Sequence, residues 1–197
     1  MNPRPFQPQT VWVCPLCAES FKVARQEVQQ VWFGLGSNLQ RERHIKAAVA
    51  ALEQAFTTVR LSHVYESEAA GFAGPPFYNL VAWVETQRTL AEVQVWCKQT
   101  EQALGRAHDN ERFSSKTMDI DILLYNDQVC EATESTPKLP RGEILTSPYV
   151  LAPMADLVPY MQHPETGKSY REHWLAMQQA GGDEGMLGVV ESLWLKA

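Results

Sequence analysis

Asp119 and Asp121 lie two residues apart in Met118-Asp-Ile-Asp-Ile122, an otherwise apolar stretch. In a strand, alternate side chains share a face, so the two carboxylates would point together, roughly 6.5–7 Å apart along the backbone. Met118, Ile120, Ile122 and Leu124 would then point the other way, into a core. Two carboxylates on one face repel each other unless something positive sits between them. A hard divalent cation does this. Magnesium takes one or two carboxylates and completes its shell with water and substrate phosphates. Taken alone, such a pair reads sooner as the solvated face of an edge strand.

The neighbouring residues shift the balance towards chemistry. Gly105 to Lys116 carries Arg106, His108, Arg112 and Lys116 with almost no aliphatic anchors. A loop of that composition is expected to move, and its cations would neutralise charge that develops on a polyphosphate. Phe77 and Asn79 share a face of another strand, just after the Gly- and Pro-rich stretch 71–76. An aromatic beside an amide suits a flat heterocycle that needs stacking and hydrogen bonds. The chain has no GxxxxGK[ST] phosphate loop, and Gly34-Leu-Gly-Ser-Asn38 is too short for a dinucleotide fingerprint. No Ser-His-Asp or Cys-His motif is present, and Cys97 falls on the apolar stripe of a helix.

The elements that must position these residues follow from periodicity. A strand begins at Val31 and ends in Gly-Ser-Asn. Ile45, Val49, Leu52 and Phe56 recur at helical spacing over 41–56. Strands are predicted over 59–66, 77–86 and 117–125. Thr89-Leu-Ala-Glu92 has a capping-box pattern, and it opens a helix with the stripe Leu90, Val93, Cys97, Leu104 that ends at Gly105. Helical turns are expected over 149–157 and a helix over 170–179, with 181–185 a linker to a short terminal segment. The order β-α-β-β-α-β predicts an α+β fold, a ferredoxin-like sandwich with a mostly antiparallel sheet and C-terminal additions. Residues 1–30 read as an arm carrying Cys14-Pro-Leu-Cys17, 31–180 as the catalytic domain and 181–197 as a tail.

Composition bounds the rest. The chain has 197 residues, 45% of them apolar, and a net charge of −6. No apolar run approaches the roughly 18 residues of a membrane span. The acidic balance argues against binding driven by nucleic-acid phosphates. The N-terminus does not read as a secretory signal. Four cysteines are too few for a disulfide scaffold, and Cys14 with Cys17 supplies only two of the four ligands of a structural zinc site. A cytoplasmic protein with neither nucleic-acid nor membrane partners is therefore expected.

Leu35-Gly-Ser-Asn38, Phe77-Tyr-Asn79, Gly105-Arg106 and Thr117-Met-Asp119-Ile-Asp121 together resemble the 6-hydroxymethyl-7,8-dihydropterin pyrophosphokinase family of folate synthesis, over about Val31 to Tyr170. The resemblance implies ATP as donor, two magnesium ions and pyrophosphoryl transfer to the pterin hydroxymethyl group. It implies that Asp119 and Asp121 hold the metal, that Asn79 bonds the pterin, and that Phe77 and Tyr149 flank it. Glu101, Ile122 and Arg141 would serve the nucleotide, and Arg106, Arg112 and Lys116 the catalytic step. Some positions depart from the family pattern. Phe113 stands for a tryptophan, Lys116 and Ser147 for arginines, and Leu139-Pro140-Arg141 for a Val-Pro-His. Those departures leave open a pterin-binding paralogue with weak or no kinase activity, and the basic loop leaves open a nucleic-acid-binding module.

Overall fold

The computed structural model describes residues 27–105 and 115–194. Arg106, Arg112, Phe113, Cys14 and Cys17 lie outside them. Six strands form one sheet: β1 Gln29–Ser37, β2 Thr58–Leu61, β3 Tyr65–Ser67, β4 Phe77–Thr86, β5 Asp119–Tyr125 and β6 Met186–Val189. The helices are α1 Arg41–Ala55, α2 Leu90–Ala103, α3 Glu143–Thr146, α4 Pro148–Leu157 and α5 Tyr170–Gln179, with a 3-10 turn at Glu191–Trp194. The sheet runs β5-β1-β4-β3-β6, β2 also pairs with β4, and every pairing is antiparallel. With β2 and β3 counted as one interrupted strand, β1, β2/β3, β4 and β5 stand in the ferredoxin-like order expected from the sequence. Among the described residues no helix is long and apolar enough to cross a membrane.

Each sheet face buries a different set of side chains. Phe33 and Leu35 of β1 and Leu80, Ala82 and Val84 of β4 pack against Ile45, Leu52, Val93 and Cys97 of α1 and α2. Each aliphatic side chain buried there contributes about 1.5–3 kcal/mol relative to an exposed one. Both arms of the expected capping box start α2: Glu92 Oε2 accepts from the Thr89 amide at 2.7 Å, and Thr89 Oγ1 accepts from the Glu92 amide at 3.4 Å. On the opposite face, Trp32, Val81, Leu123 and Leu124 pack against Leu151, Met154 and Tyr170. This second core covers only the Trp32 end of the sheet.

Three expectations need correction. Leu124 does not face the first core with Ile122; it lies in the second, beside Leu123. A β-bulge causes this: Phe33 pairs with Ile122 but Trp32 with Leu124, so Leu123 is an extra residue that reverses the alternation. The single strand expected over 59–66 is two strands. Between them, the Ser62 Oγ accepts from the Val81 amide at 2.9 Å where a backbone carbonyl would stand. The terminal segment is no detached tail, because β6 pairs with β3 and extends the sheet.

Leu124 is fully buried. Leu124→Ala is therefore expected to cost about 2–5 kcal/mol of unfolding free energy, measured by urea titration. A loss below 0.5 kcal/mol, which is typical of a surface position, would contradict its placement.

Candidate active site

Beyond Val81 the second face is uncovered, and the sheet itself becomes the floor of a cavity of about 580 Å³. The pairing register builds the floor row by row. Gly36 lies between Asn79 of β4 and Asp119 of β5, and Gly34 between Val81 and Asp121. The two glycines pave the middle of a trough, with an amide and an aromatic on one bank and two carboxylates on the other. The banks are two strand spacings apart, about 10 Å. A Cβ on Gly36 would meet Asn79 Oδ1 at 3.2 Å, and one on Gly34 would meet Leu123 at 3.3 Å. A larger residue at either position would have to push the Asn79 or Leu123 side chain aside by a few tenths of an ångström.

Asp119, Asp121, Phe77, Asn79, Tyr149, Lys116 and Arg141 all line this cavity. Asn79 donates through Nδ2 to Ser67 Oγ at 2.9 Å. Phe77 stands edge-on to Phe72, with ring centroids 6.2 Å apart. Glu101 and Ile122 are placed differently. The Glu101 carboxylate accepts from the Ile120 amide at 2.8 Å, behind the strand that carries the aspartates. Ile122 is 2% exposed, with its side chain in the first core. Its backbone has another orientation. Antiparallel pairing alternates inward and outward backbone groups. The Ile120 amide meets Glu101 on the outer edge of β5, so the Ile122 N–H and C=O face that edge too.

The carboxylates are already paired with cations. Lys116 Nζ lies 2.8 Å from Asp119 Oδ2, and Arg141 Nη2 2.6 Å from Asp121 Oδ1. Burial, with the Asp119 charge next, pushes the Asp121 carboxyl up to about 6 although Arg141 and Lys116 oppose the shift. Glu68 and Glu143 also line the cavity, so among the described residues four carboxylates face two cations. This acidic surplus would repel a polyphosphate unless additional cations came with it. No group of three His, Cys, Asp or Glu side chains forms a ready metal cage among the described residues. Two carboxylates that leave room for water and phosphate oxygens are the donor set magnesium accepts.

Ser37 and Asn38 had no role assigned from the sequence. Asn38 Oδ1 accepts from the Lys116 amide at 2.7 Å, and Asn38 Nδ2 donates to Pro75 O and Ser115 Oγ, each at 3.2 Å. Ser37 Oγ donates to Thr117 O at 2.5 Å. The end of β1 thereby ties together the loops before β4 and β5. A larger concavity of about 680 Å³, beside Lys46, Glu53, His63 and Asp156, contains none of the residues singled out from the sequence.

The architecture defines the chain as an α+β sandwich of ferredoxin-like order with a sheet-floored cavity. Comparison with known proteins narrows this further. The family model for 7,8-dihydro-6-hydroxymethylpterin-pyrophosphokinase (HPPK) matches residues 32–159. The 2-amino-4-hydroxy-6-hydroxymethyldihydropteridine pyrophosphokinase of Bacillus subtilis is 30% identical over 159 residues, covering 78% of this chain and 93% of its own. The protein of that name from Pseudomonas aeruginosa is 34% identical over 142 residues, covering 70% and 86%. A Chlamydia muridarum folate synthesis bifunctional protein is 32% identical over 155 residues; the match spans 72% of this chain and 34% of that protein. A Plasmodium falciparum HPPK-DHPS crystallised with pterin and p-hydroxybenzoate has the same fold, with a TM-score of 0.61, 13% identity and coverage of 79% of this chain and 45% of that one. The chain belongs to the HPPK family, whose members transfer pyrophosphate from ATP to hydroxymethyldihydropterin in folate synthesis.

The raised Asp121 value has a consequence for stability. Between about pH 4 and 6 the folded protein binds a proton that the unfolded chain releases. Stability from this group therefore rises as pH falls through that window, and its cost is fully present above it. Asp121→Asn is expected to raise the melting temperature at pH 8, with the gain shrinking towards pH 4. Thermal unfolding across that range checks it; equal gains at both ends would refute the assignment.

Proposed function

We propose that this chain catalyses pyrophosphoryl transfer from ATP to 6-hydroxymethyl-7,8-dihydropterin in the cytoplasm, giving AMP and the pterin diphosphate. The observation that carries the reading is one trough, with Phe77 and Asn79 at one bank, Asp119 and Asp121 at the other, and Tyr149 in its lining. The substrates need that arrangement: a flat ring on one side and the metal-bound phosphates on the other.

Each residue has a role in this reading. Asn79 hydrogen-bonds the pterin edge, and Phe77 and Tyr149 hold its faces. Ser67 orients the Asn79 amide through their hydrogen bond. The flat ring needs close approach to the floor, which Gly36 allows. Asp119 and Asp121 would hold two magnesium ions. When bound, these supply positive charge to the phosphate oxygens and lower the pKa of the pterin hydroxyl. Glu101 supports β5 from behind, through the Ile120 amide. Ile122 serves the adenine through the outward-facing edge of its backbone, since its side chain is in the core.

The transfer is an in-line displacement. The hydroxymethyl oxygen forms a bond to the β-phosphorus, and the bridge between the α- and β-phosphoryl groups breaks. AMP leaves with the bonding pair, and the hydroxyl proton passes to water. Arg106, Arg112, Lys116 and Arg141 meet the charge that accumulates on the phosphates. Positioning and electrostatics carry the catalysis, and no strong general base is required.

AMP release with hydroxymethyl-dihydropterin and ATP tests the reading. Turnover is expected with magnesium and none with a chelator, and Asp119→Asn is expected to lose at least about a hundredfold while its circular dichroism stays that of the parent. Pterin binding without AMP release would instead show a non-catalytic paralogue. Gly36→Val is expected to raise the pterin KM about tenfold or more, because a 1 Å displacement is costly in a fitted site. An unchanged KM would place the pterin elsewhere.

A further inference from the structure

Arg141 reaches the cavity from the segment after the Cys130–Leu139 bridge. Its backbone amide donates to Leu123 O at 3.0 Å, which anchors it beside β5. Its guanidinium spans two carboxylates: Nη2 lies 2.6 Å from Asp121 Oδ1 and Nε 3.5 Å from Glu143 Oε2. The Nε atom is buried and makes no hydrogen bond among the described residues. The guanidinium is thus bonded firmly at one corner and is still short of an acceptor at another.

We infer that Arg141 is an exchangeable counter-ion for Asp121: it neutralises the carboxylate in the empty site and gives up that position to a divalent cation, carrying its donors to the nucleotide phosphates. This rests on the metal assignment made above. A cation coordinated at about 2 Å and a guanidinium at 2.6 Å on the same carboxylate repel each other strongly. Metal loading therefore weakens the arginine's hold. The backbone anchor keeps the released side chain within the cavity. A guanidinium presents a fork of donors that matches phosphate oxygens, and Nε, though near Glu143, makes no hydrogen bond among the described residues. Arg141 consequently opposes metal binding when no nucleotide is present and favours nucleotide binding once metal is loaded. It makes the two ligands bind cooperatively. The groups facing Asp121 are Asp119, Lys116, Arg141 and Glu143. Of the two cations, Arg141 is the one bonded to Asp121.

The test measures binding to the full chain at pH 8.5, where Asp121 is ionised. Free Mn2+ is followed by electron paramagnetic resonance, alone and with α,β-methylene-ATP. Arg141→Ala and Arg141→Gln are expected to bind Mn2+ alone about two- to fivefold more tightly than the parent, the worth of a partly exposed ion pair. The same variants are expected to bind the Mn2+ analogue complex about tenfold or more weakly, through loss of a charged hydrogen bond. Arg141→Lys, which keeps the charge, is expected to retain the parental Mn2+ affinity. These opposite signs distinguish exchange from a merely structural role, which would weaken both. Unchanged or weaker Mn2+ binding in the Ala and Gln variants would overturn the inference. Mn2+ binding undiminished by Asp119→Asn and Asp121→Asn would remove the metal assignment itself, and the inference with it.

Discussion

Two like charges held on one face of a strand are the constraint around which this structure is arranged. Asp119 and Asp121 cannot diverge, because β5 is pinned to β1 on one side and held by Glu101 and Arg141 on the other. Among the described residues, Lys116 offsets this repulsion at Asp119 and Arg141 at Asp121. Burial first, and the Asp119 charge next, still push the Asp121 carboxyl up. The residual negative potential lies beside an open cavity, where it favours the approach of cations.

The same sheet must be strong beneath the site and thin above it. Strength comes from Phe33, Leu35, Ile120 and Ile122 packed into the first core. Thinness comes from Gly34 and Gly36, which remove two side chains from the opposite face and so open the trough. Leu35, between the glycines, points into the first core, so one short stretch both anchors the sheet and leaves the site open. The next two residues join the surrounding loops: Asn38 holds Lys116 and Pro75, and Ser37 holds Thr117. Leu-Gly-Ser-Asn thus has a separate physical task at each position.

Features carried by local periodicity were legible in the sequence. The alternation around Asp119, the apolar stripe of α2 and the Thr89 capping box each needed only neighbouring residues, and each is present. The trough was legible in part: two glycines spaced by two on a strand necessarily share a face, a signal that the search for a dinucleotide fingerprint passed over. What the sequence concealed depends on partners far along the chain. Leu124 changes face because of a bulge that arises only where β5 meets β1. The strand over 59–66 breaks because the Ser62 hydroxyl finds the Val81 amide, nineteen residues away. The Arg141–Asp121 pair spans twenty residues and joins a loop to β5. β6 is four residues long, mostly exposed and interrupted by Gly188, and has no pattern until β3 offers an edge.

That last strand bears on the Asn79 side of the cavity. Ser67, which holds the Asn79 amide, lies in β3, and β3 has only three residues. A strand that short positions a side chain poorly unless both its edges are paired. β4 supplies one edge and β6 the other, with Ser67 paired to Phe77 and to Met186. Just beyond, the Glu68 amide donates to Gly185 O at 2.7 Å, fixing the start of the loop that brings Phe72 against Phe77. The Phe77–Asn79 bank of the trough is therefore set by β6 and the residues just before it, and the carboxylate bank by the end of β1 through Ser37 and Asn38. Each bank depends on a segment far from it in sequence, which keeps their separation a property of the whole sheet rather than of any one loop.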